Sequence, residues 1–416
     1  MDQKQEAIEK LKKYHQEHII NILEMLEEQK QKKLIEQVLT IDFEQIEKLY
    51  EDTKKGINVE VSELKPIKSI NPDKLSQEQK KAYEQKGEEI IKKNAFAVVT
   101  MSGGQGTRLG YNGPKGTFKI NVKPQPKYLF EIIVDTLKRA NEKYQVMIPW
   151  YIMTSEENND EIIHFMEEHN YFAYPKEQVK FFTQGELPLI TPEGKLLVDE
   201  EDKIRVASNG NGSIFESMKQ KGILEDMREK KIEWVYIGSI DNVLLKMVDV
   251  LLIGIAIDEG SQIATRSIFK NNPRERIGSL CSQNGKIKVI EYSELPEEMI
   301  EATDEEGELL YGESHVMCNL FHIDALEKIS TKQLPYHSAF KKYSYKDENG
   351  KVIVPEEPNA YKFEYFIFDS FEYFNQISIL RGKREEDFAP VKNKEGVDSP
   401  ETAAKLYNDF WFGKEE

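Results

Sequence analysis

A hydrophobic run that ends directly in a glycine-rich segment is the feature that limits the possible folds most strongly. The run, Ala95–Met101, has the apolar and β-branched composition of a buried strand. It is followed by SGGQGTRLG at 102–110 and by PKG at 114–116. Glycines at a strand end let backbone N–H groups approach an anion closely and point at it together. The segment therefore predicts an anion-binding loop at the edge of a sheet.

Two cations accompany these glycines. Arg108 lies within the loop and Lys115 within the following Pro-Lys-Gly, so full positive charge stands close to Gly103 and Gly104. The loop is not a Walker A sequence, because no Gly-Lys-Ser/Thr closes it, and it does not fit GxGxxG. A glycine-rich turn without a ligand is the alternative interpretation. The combination of strand, glycines and cations favours a polyphosphate ligand.

The chain changes character near residue 90. Up to that point apolar residues recur at helical spacing, and helix starts are marked by Asp42 with Gln45 and by Ser76 with Gln79. Beyond it, short apolar runs alternate with amphipathic stretches, which predicts an α/β fold with a mostly parallel sheet and helices on both faces. The predicted strands are Ala95–Met101, Val146–Met153, Val179–Thr183, Glu233–Ile240 and Gln262–Phe269.

Hairpin signals interrupt this alternation. Pro192-Glu193-Gly194 separates two strand-like runs, and Asn284-Gly285 separates Ser279–Ser282 from Lys286–Tyr292. We therefore expect a second, partly antiparallel sheet that covers one edge of the first.

Charge and cysteine content limit the partners and the location. The net charge of −17 repels phosphate backbones, so nucleic acid is not an expected partner. Cys281 and Cys318 fit neither a disulfide scaffold nor a zinc module. The longest apolar run, Val250–Ile257, is far shorter than the ~20 residues that span a bilayer, and the N-terminus lacks a signal-peptide pattern. We expect a cytoplasmic protein without membrane contact, in which an anionic ligand meets cations gathered locally.

The glycine-rich run is one of several blocks that resemble a known family. GGQGTRLG followed by PKG resembles the nucleotidyltransferases that make UDP-sugars, especially the eukaryotic-type UDP-N-acetylglucosamine pyrophosphorylases. The resemblance implies a Rossmann-like, GT-A-like fold, in which a sugar 1-phosphate attacks the α-phosphate of UTP with Mg²⁺ assisting and pyrophosphate leaves. Further blocks agree in order over nearly the whole chain: WYIMTS at 150–155, FFTQGELP at 181–188, NGNG at 209–212, IDNVLLK at 240–246, VIEYSEL at 289–295, FIFDSF at 366–371 and FAPVKN at 388–393.

The same resemblance implies a set of substrate contacts, of which Arg108, Lys115 and Lys392 are the expected catalytic cations. The full set is Gly103, Gln184 and Gly210 on the uracil, Asn211, Gly278, Glu291 and His315 on the hexose, and Gly104, Arg108, Lys115, Lys362 and Lys392 on the phosphates. A glutamine suits the uracil edge because it both donates and accepts hydrogen bonds. Taken singly, Gln184 would be read as part of a turn, and Glu291 and the two later lysines as surface residues.

Asp241 is the predicted metal ligand. It follows a predicted strand, and a carboxylate at the carboxyl end of a strand faces the crevice in which α/β sheets bind ligands. Mg²⁺ prefers few protein carboxylates together with phosphate oxygens and waters, so one aspartate is sufficient. From the residues alone, a turn capped by Asp241 and Asn242 remains the alternative.

Some positions depart from the family pattern. Met101-Ser102 replaces the usual Leu-Ala, and Ser208-Asn209 replaces the usual Pro-Asp. More importantly, His315 stands where relatives specific for N-acetylglucosamine commonly carry Asn. His315 can donate a hydrogen bond to the acetyl carbonyl, indicate tolerance of glucose or galactose 1-phosphate, or be a buried structural histidine.

The sequence thus predicts an enzyme, a reversible, Mg²⁺-dependent uridylyltransferase that forms UDP-N-acetylglucosamine and pyrophosphate from UTP and N-acetylglucosamine 1-phosphate. The alternatives are a UDP-glucose or broad-specificity UDP-sugar pyrophosphorylase, a non-catalytic nucleotide-sugar-binding regulatory protein, and an interaction protein built on the N-terminal helices. The predicted domains are a helical region over 1–90, a catalytic domain over 91–388 and a tail over 389–416. Many relatives continue into a β-rich domain beyond the block of Lys392, so a monomer is expected.

Overall fold

Two compact units make up the chain. The structure, a computed structural model, describes residues 3–54, 64–292 and 294–414. Each unit is assembled from stretches that are far apart in sequence. The domain boundaries predicted at residues 90 and 388 stay predictions. The first unit comprises Met1–Asn58, Gly185–Ser213 and Leu334–Phe366, and the second comprises Val59–Gln184, Ile214–Gln333 and Ile367–Glu416.

The helices and strands alternate along most of the chain. The helices of the described residues are α1 (Gln3–Lys13), α2 (Glu17–Met25), α3 (Glu28–Thr40), α4 (Phe43–Thr53), α5 (Gln77–Lys92), α6 (Leu129–Tyr144), α7 (Asn159–Glu168), α8 (Ile214–Gln220), α9 (Ile223–Glu229), α10 (Val250–Glu259), α11 (Glu297–Ile300), α12 (Ile323–Ile329), α13 (Arg384–Asp387) and α14 (Pro400–Phe412). The strands are β1 (Leu64–Pro66), β2 (Phe96–Met101), β3 (Lys119–Ile120), β4 (Lys127–Tyr128), β5 (Trp150–Thr154), β6 (Val179–Thr183), β7 (Glu186–Pro188), β8 (Val206–Ser208), β9 (Trp234–Ser239), β10 (Ile263–Phe269), β11 (Ser279–Gln283), β12 (Lys286–Ile290), β13 (Glu313–His322), β14 (His337–Lys341), β15 (Tyr345–Lys346), β16 (Val352–Ile353), β17 (Ala360–Glu364) and β18 (Ser378–Arg381).

The second unit is built around a sheet that has ten strands in the described part of the chain. Its main path is β1-β11-β13-β9-β2-β5-β6, and β10, β12 and β18 pair beside it. Strands β9, β2, β5 and β6 run parallel, so their carboxyl ends lie at one edge. Every residue of β2 and β5 is buried, as expected for strands covered on both faces. Helices flank this sheet, and the predicted α/β fold is confirmed.

Two details of the predicted strands differ from the structure. The strand expected from Val146 begins only at Trp150, because Pro149 cannot donate to a ladder and the N–H of Ile148 bonds to the side chain of Asn141. The Asn284-Gly285 hairpin forms, with both residues at positive φ, but the separate sheet expected there is wrong. Strand β13 is long enough to pair with β11 near its start and with β9 in its second half, so a single sheet continues through it.

The first unit has its own hydrophobic core. Helices α1 to α4 bury one face, and their side chains pack with residues of the other two stretches, for example Leu11 with the cluster that contains Leu187 and Phe363. As predicted, the side chain of Asp42 caps α4 by accepting a hydrogen bond from the N–H of Gln45 at 3.0 Å. Small antiparallel pairs, β7 with β8, β14 with β17 and β15 with β16, complete this unit.

The structure bears on the membrane and cysteine features of the sequence. In the described ranges, each helix is too short or too polar to cross a bilayer. Cys281 and Cys318 are buried free thiols, and burial raises the pKa of each to about 12. Both thiols therefore stay protonated and act as small apolar side chains.

Candidate active site

The glycine-rich loop folds back on the Pro-Lys-Gly segment that follows it. Strand β2 leads into the buried Ser102, whose backbone N–H bonds to the carbonyl of Met153 on β5 at 2.7 Å. A short 3-10 turn begins at Lys115, and the N–H of Lys115 donates to the carbonyl of Gly104 at 3.0 Å. The loop and Lys115 are thus held together by the backbone.

Two of the residues expected on the uracil touch each other. A Cβ atom at Gly103 would lie 2.2 Å from Nε2 of Gln184, so the close approach requires a residue without a side chain. Gln184 is buried, and its N–H donates to the carbonyl of Thr154 at the end of β5. At Gly104 a Cβ would meet no heavy atom within 4 Å among the described residues. One glycine therefore positions a side chain, and the next leaves space for a ligand.

Asp241 lies just past the carboxyl end of β9, and both of its carboxylate oxygens have partners. Oδ1 accepts a hydrogen bond from Ser239 Oγ at 2.7 Å, and Oδ2 lies 3.3 Å from the Nζ of Lys115. Burial alone would raise the pKa of this carboxyl, but the charges of Lys115 and Lys392 and the hydrogen bonds of Ser239 and Lys115 outweigh it, so the pKa lies below its usual value. Asp241 is therefore ionised at neutral pH.

The backbone next to Lys392 is hydrogen-bonded to Asp241. The N–H of Val391 donates to the carbonyl of Asp241 at 2.8 Å, and the N–H of Lys392 donates to the carbonyl of Asp398 at 2.7 Å. The ammonium of Lys392 lies 3.9 Å from the carboxylate of Asp398 and is about two-fifths exposed. The structure thus brings Lys115, Asp241 and Lys392 together.

Arg108 differs from these two lysines. It lies in the 3-10 turn Thr107–Leu109 and is exposed. Over the described ranges its guanidinium makes no ion pair or hydrogen bond. A cation on the glycine-rich loop that is not neutralised by a carboxylate remains available to an anion.

Gly278, Glu291 and His315 form a second group at the β11, β12 and β13 strands. The N–H of His315 donates to the carbonyl of Gly278 at 3.0 Å, and a Cβ at Gly278 would lie 3.5 Å from Oε1 of Glu291. His315 packs edge-on against the rings of Phe368 and Phe371. Burial lowers its pKa to about 4, against a smaller opposite effect of its hydrogen bond to Asn319, so the ring is neutral at physiological pH.

Three of the predicted contacts, Gly210, Asn211 and Lys362, belong to the first unit. Gly210 has a φ of +87°, and a Cβ there would lie 2.4 Å from the carbonyl oxygen of Tyr365. The N–H of Tyr365 bonds to the carbonyl of Asn209, which ties this loop to the end of β17. Lys362 lies on β17 and donates to Glu364 Oε1 at 2.7 Å. A phosphate at Lys362 would have to compete with that carboxylate.

Sequence reasoning missed two residues beside Asp241. Ser239 donates to its carboxylate, and Asn242 bonds through its side chain to residues 387 and 389. A hydroxyl two residues before a predicted metal ligand, at a strand end, was the available signal for Ser239. The Oδ1 of Asn242 also accepts from the N–H of Leu244 at 3.2 Å, which is the local turn considered from the sequence, but its bonds to residues 387 and 389 have no local signal because those partners lie far along the chain.

Asp241 is the carboxylate that would hold a metal ion at this place. The part of the chain that the structure describes contains no group of three or more His, Cys, Asp or Glu side chains that could bind a metal ion together. One ionised carboxylate with a fixed orientation fits Mg²⁺, which takes its other ligands from phosphates and water. It does not fit zinc, which requires several nitrogen or sulfur ligands.

Comparison with known proteins gives consistent matches over most of the chain. The sequence pattern of the UTP–glucose-1-phosphate uridylyltransferase family matches residues 40–397. The UDP-N-acetylglucosamine pyrophosphorylase of Saccharomyces cerevisiae is 36% identical over 382 residues, which cover 86% of this chain and 80% of the yeast protein. UDP-N-acetylglucosamine diphosphorylase 2 of Arabidopsis thaliana is 31% identical, with coverage of 97% and 83%.

Solved structures agree. The crystal structure of the uridine diphosphate N-acetylglucosamine pyrophosphorylase from Trypanosoma brucei in complex with an inhibitor is similar with a TM-score of 0.80 at 26% identity, covering 98% of this chain and 84% of that one. Sequence pattern, relatives and fold point the same way, and the site described above lies within the matched residues. The chain belongs to the UTP–glucose-1-phosphate uridylyltransferase family.

Proposed function

We propose that this protein is a uridylyltransferase that forms UDP-N-acetylglucosamine and pyrophosphate from UTP and N-acetylglucosamine 1-phosphate. The observation that carries the proposal is the placement of the ionised Asp241 between Lys115 and Lys392 beside the glycine-rich loop. The relatives named for this reaction support it, since they match over most of their own length.

The chemistry needs positioning and charge more than covalent help. An oxygen of the sugar phosphate forms a bond to the α-phosphorus of UTP while the bond from that phosphorus to the oxygen bridging to the β-phosphorus breaks, and the electron pair leaves with pyrophosphate. Two anions must be held together and the leaving charge stabilised. The N–H groups of the loop, Arg108, Lys115 and Lys392 supply that stabilisation. Lys115 can exchange its contact with Asp241 for one with a phosphate.

We also propose that Asp241 holds Mg²⁺ during this reaction. When bound, the ion neutralises phosphate charge. The lowered pKa of Asp241 keeps the carboxylate ionised, and the hydroxyl of Ser239 fixes the orientation of one oxygen, which leaves the other to face the phosphates. The ammonium of Lys115 would then leave Asp241 and contact a phosphate of the nucleotide.

For sugar choice, we propose that His315 contacts the acetamido group as a hydrogen-bond acceptor. Its Nε2 lies 3.0 Å from Oδ1 of Asn319, an oxygen that also accepts from Thr265 Oγ1. A neutral ring that donates through Nε2 has an acceptor at Nδ1. An acceptor suits the acetamido N–H, whereas the donation to the acetyl carbonyl considered from the sequence would require the other tautomer.

A substrate panel tests the reaction. Purified protein is incubated with UTP, Mg²⁺ and one sugar 1-phosphate at a time, those of N-acetylglucosamine, N-acetylgalactosamine, glucose and galactose, and pyrophosphate release is measured. We expect the highest kcat/KM with N-acetylglucosamine 1-phosphate. Preference for glucose 1-phosphate would replace the proposal by a UDP-glucose pyrophosphorylase, and absence of turnover with every sugar would favour a regulatory binding protein.

Replacing His315 by asparagine should raise the preference for the acetamido sugar. Asparagine can donate and accept at once, so the kcat/KM ratio of N-acetylglucosamine to glucose 1-phosphate is expected to rise about 10-fold, in the range of one well-placed hydrogen bond. His322→Asn at the other end of β13 is the matched control and should leave the ratio unchanged. An unchanged ratio in His315→Asn would remove His315 from sugar recognition.

Replacing Gly103 by alanine should weaken UTP binding. The added methyl group would overlap Nε2 of Gln184, which is buried and must move out of its place on the base. We expect the KM for UTP to rise about 10-fold or more, with a smaller change in the KM for the sugar phosphate. Gly222→Ala adds a methyl group outside the site, where a Cβ would meet no atom of the described residues within 4 Å, and should leave both KM values unchanged. Equal KM values in both variants would show that Gln184 does not hold the base.

Location and oligomeric state are part of the proposal. The two buried free thiols suit a cytoplasmic enzyme. A monomer is expected, and analytical ultracentrifugation at several concentrations would test it.

A further inference from the structure

The residues that precede Lys392 are held against the end of β9 by the side chain of Asn242 and by backbone hydrogen bonds on either side of it. Asn242 Nδ2 donates to the carbonyl of Asp387 at 2.7 Å, and Oδ1 of the same carboxamide accepts from the N–H of Ala389 at 2.9 Å. Backbone bonds continue this contact, from Val243 N–H to the carbonyl of Ala389 and from Val391 N–H to the carbonyl of Asp241. The segment 387–391 is therefore attached to the three residues 241–243.

The carboxamide of asparagine suits this task for a chemical reason. The segment offers one carbonyl and one N–H, and a single side chain must accept and donate at once over a short reach. Aspartate could not donate to the carbonyl of Asp387, serine is too short to span both groups, and glutamine is one methylene longer. Asn242 is buried, so loss of the carboxamide would leave a backbone N–H and a carbonyl without water to replace it.

Both ends of this segment are anchored by other groups, and the part in between is held by the carboxamide of Asn242 together with the backbone bonds of Val243 and Val391. The carboxylate of Asp387 lies 3.0 Å from Lys246 Nζ and 3.2 Å from Arg266 Nη1, which secures the start. Beyond the segment, the N–H of Lys392 bonds to the carbonyl of Asp398. Without the carboxamide of Asn242, the two backbone bonds of Val243 and Val391 would have to hold residues 388–391, so this backbone could shift relative to Asp241 while both ends stay in place.

We infer that Asn242 is a positioning residue, which sets the distance between the ammonium of Lys392 and the phosphates that Asp241 organises. This inference rests on the proposed function, because it assigns Asn242 an effect that passes through Lys392. A misplacement of about 1 Å in a charge that acts in the transition state can cost on the order of 100-fold in rate. Asn242 touches neither substrate nor metal in this scheme.

A double-mutant cycle separates this role from a general loss of structure. The kcat values of wild type, Asn242→Ala, Lys392→Ala and the double variant are measured at saturating UTP, sugar phosphate and Mg²⁺. We expect Asn242→Ala to lower kcat about 10- to 100-fold in the wild-type background, with little change in the KM for the sugar phosphate. In the Lys392→Ala background the same change should cost less than about 2-fold, because the side chain that it positions is gone.

Control variants distinguish a loss of positioning from a loss of stability. Asn141→Ala removes a comparable carboxamide elsewhere in the same unit, which donates to Tyr174 Oη and accepts from the N–H of Ile148. This variant should have a lower Tm and an unchanged kcat. If Asn242→Ala does not fold, Asn242→Gln keeps both polar groups at a longer reach and should show the same dependence on Lys392. Equal fold losses in both backgrounds would overturn the inference alone. A wild-type protein without turnover would overturn the proposed function and this inference together.

Discussion

Replacing Lys392 by alanine is expected to lower kcat about 100-fold or more while the KM for UTP changes much less. Within the described residues the ammonium of Lys392 forms one ion pair, with Asp398 at 3.9 Å, and its charge contributes to the lowered pKa of Asp241. A cation that meets its full counter-charge only when negative charge moves to the leaving pyrophosphate stabilises the transition state more than the bound substrates. Its removal therefore affects the rate more than binding.

Steady-state kinetics with both substrates varied measures this effect. Lys392→Arg keeps the charge with a different shape and should recover part of the rate. Lys405→Ala, an exposed lysine on α14, is the matched control for loss of one positive charge and should behave as wild type. A wild-type kcat in Lys392→Ala at saturating substrates would remove Lys392 from the reaction.

Replacing Asp241 by asparagine should lower kcat by about 100-fold or more and weaken the dependence on Mg²⁺. The substitution keeps size and hydrogen bonding but removes the charge that pairs with Lys115 and that would hold the ion. Because the pKa of Asp241 is lowered, the carboxylate loses its charge only below the usual range of an aspartate, near pH 4. Any fall in wild-type activity between pH 5 and 7 should therefore persist in Asp241→Asn.

Titration of activity with Mg²⁺, at fixed UTP, provides the measurement. Asp226→Asn is the matched control, since the pKa of Asp226 is also lowered, to about 2. Burial would raise this pKa, but the hydrogen bonds from Lys180, Lys230 and Tyr151 outweigh that effect. That variant should lose stability without a change in the Mg²⁺ concentration that gives half-maximal rate. The same Mg²⁺ response in Asp241→Asn and wild type would contradict a metal at Asp241.

The sequence predicted local features of this fold well because their causes are local. Strand β2 and its glycine-rich loop follow from composition and order along a few residues, and the cap at Asp42 follows from a side chain three residues away from its partner. Such signals do not depend on the rest of the chain. The loop, the carboxyl ends of the parallel strands and Asp241 could therefore be located, to within a residue, from the order of the residues alone.

The features that the sequence did not reveal depend on distant partners. The continuation of the sheet through β13 is decided by pairing with β9 and β11, which no local pattern specifies. The same holds for the bonds that the carboxamide of Asn242 makes to Asp387 and Ala389, which lie 145 and 147 residues further along the chain. The ion pair of Lys362 with Glu364 is local in sequence. Whether Lys362 binds Glu364 or a substrate phosphate nevertheless depends on the residues around both groups.

The assembly of the first unit from three stretches affects the order in which it can fold during synthesis. Helices α1 to α4 leave the ribosome before the other two stretches of this unit, so the core that they share with Leu187 and Phe363 is complete only after Phe363 has been made. Until then, their apolar faces need a temporary cover, such as a chaperone or one another. A shortened protein that lacks these helices would conversely leave Leu187, Ile204 and Phe363 without their packing partners, so truncation would test folding before it could test function.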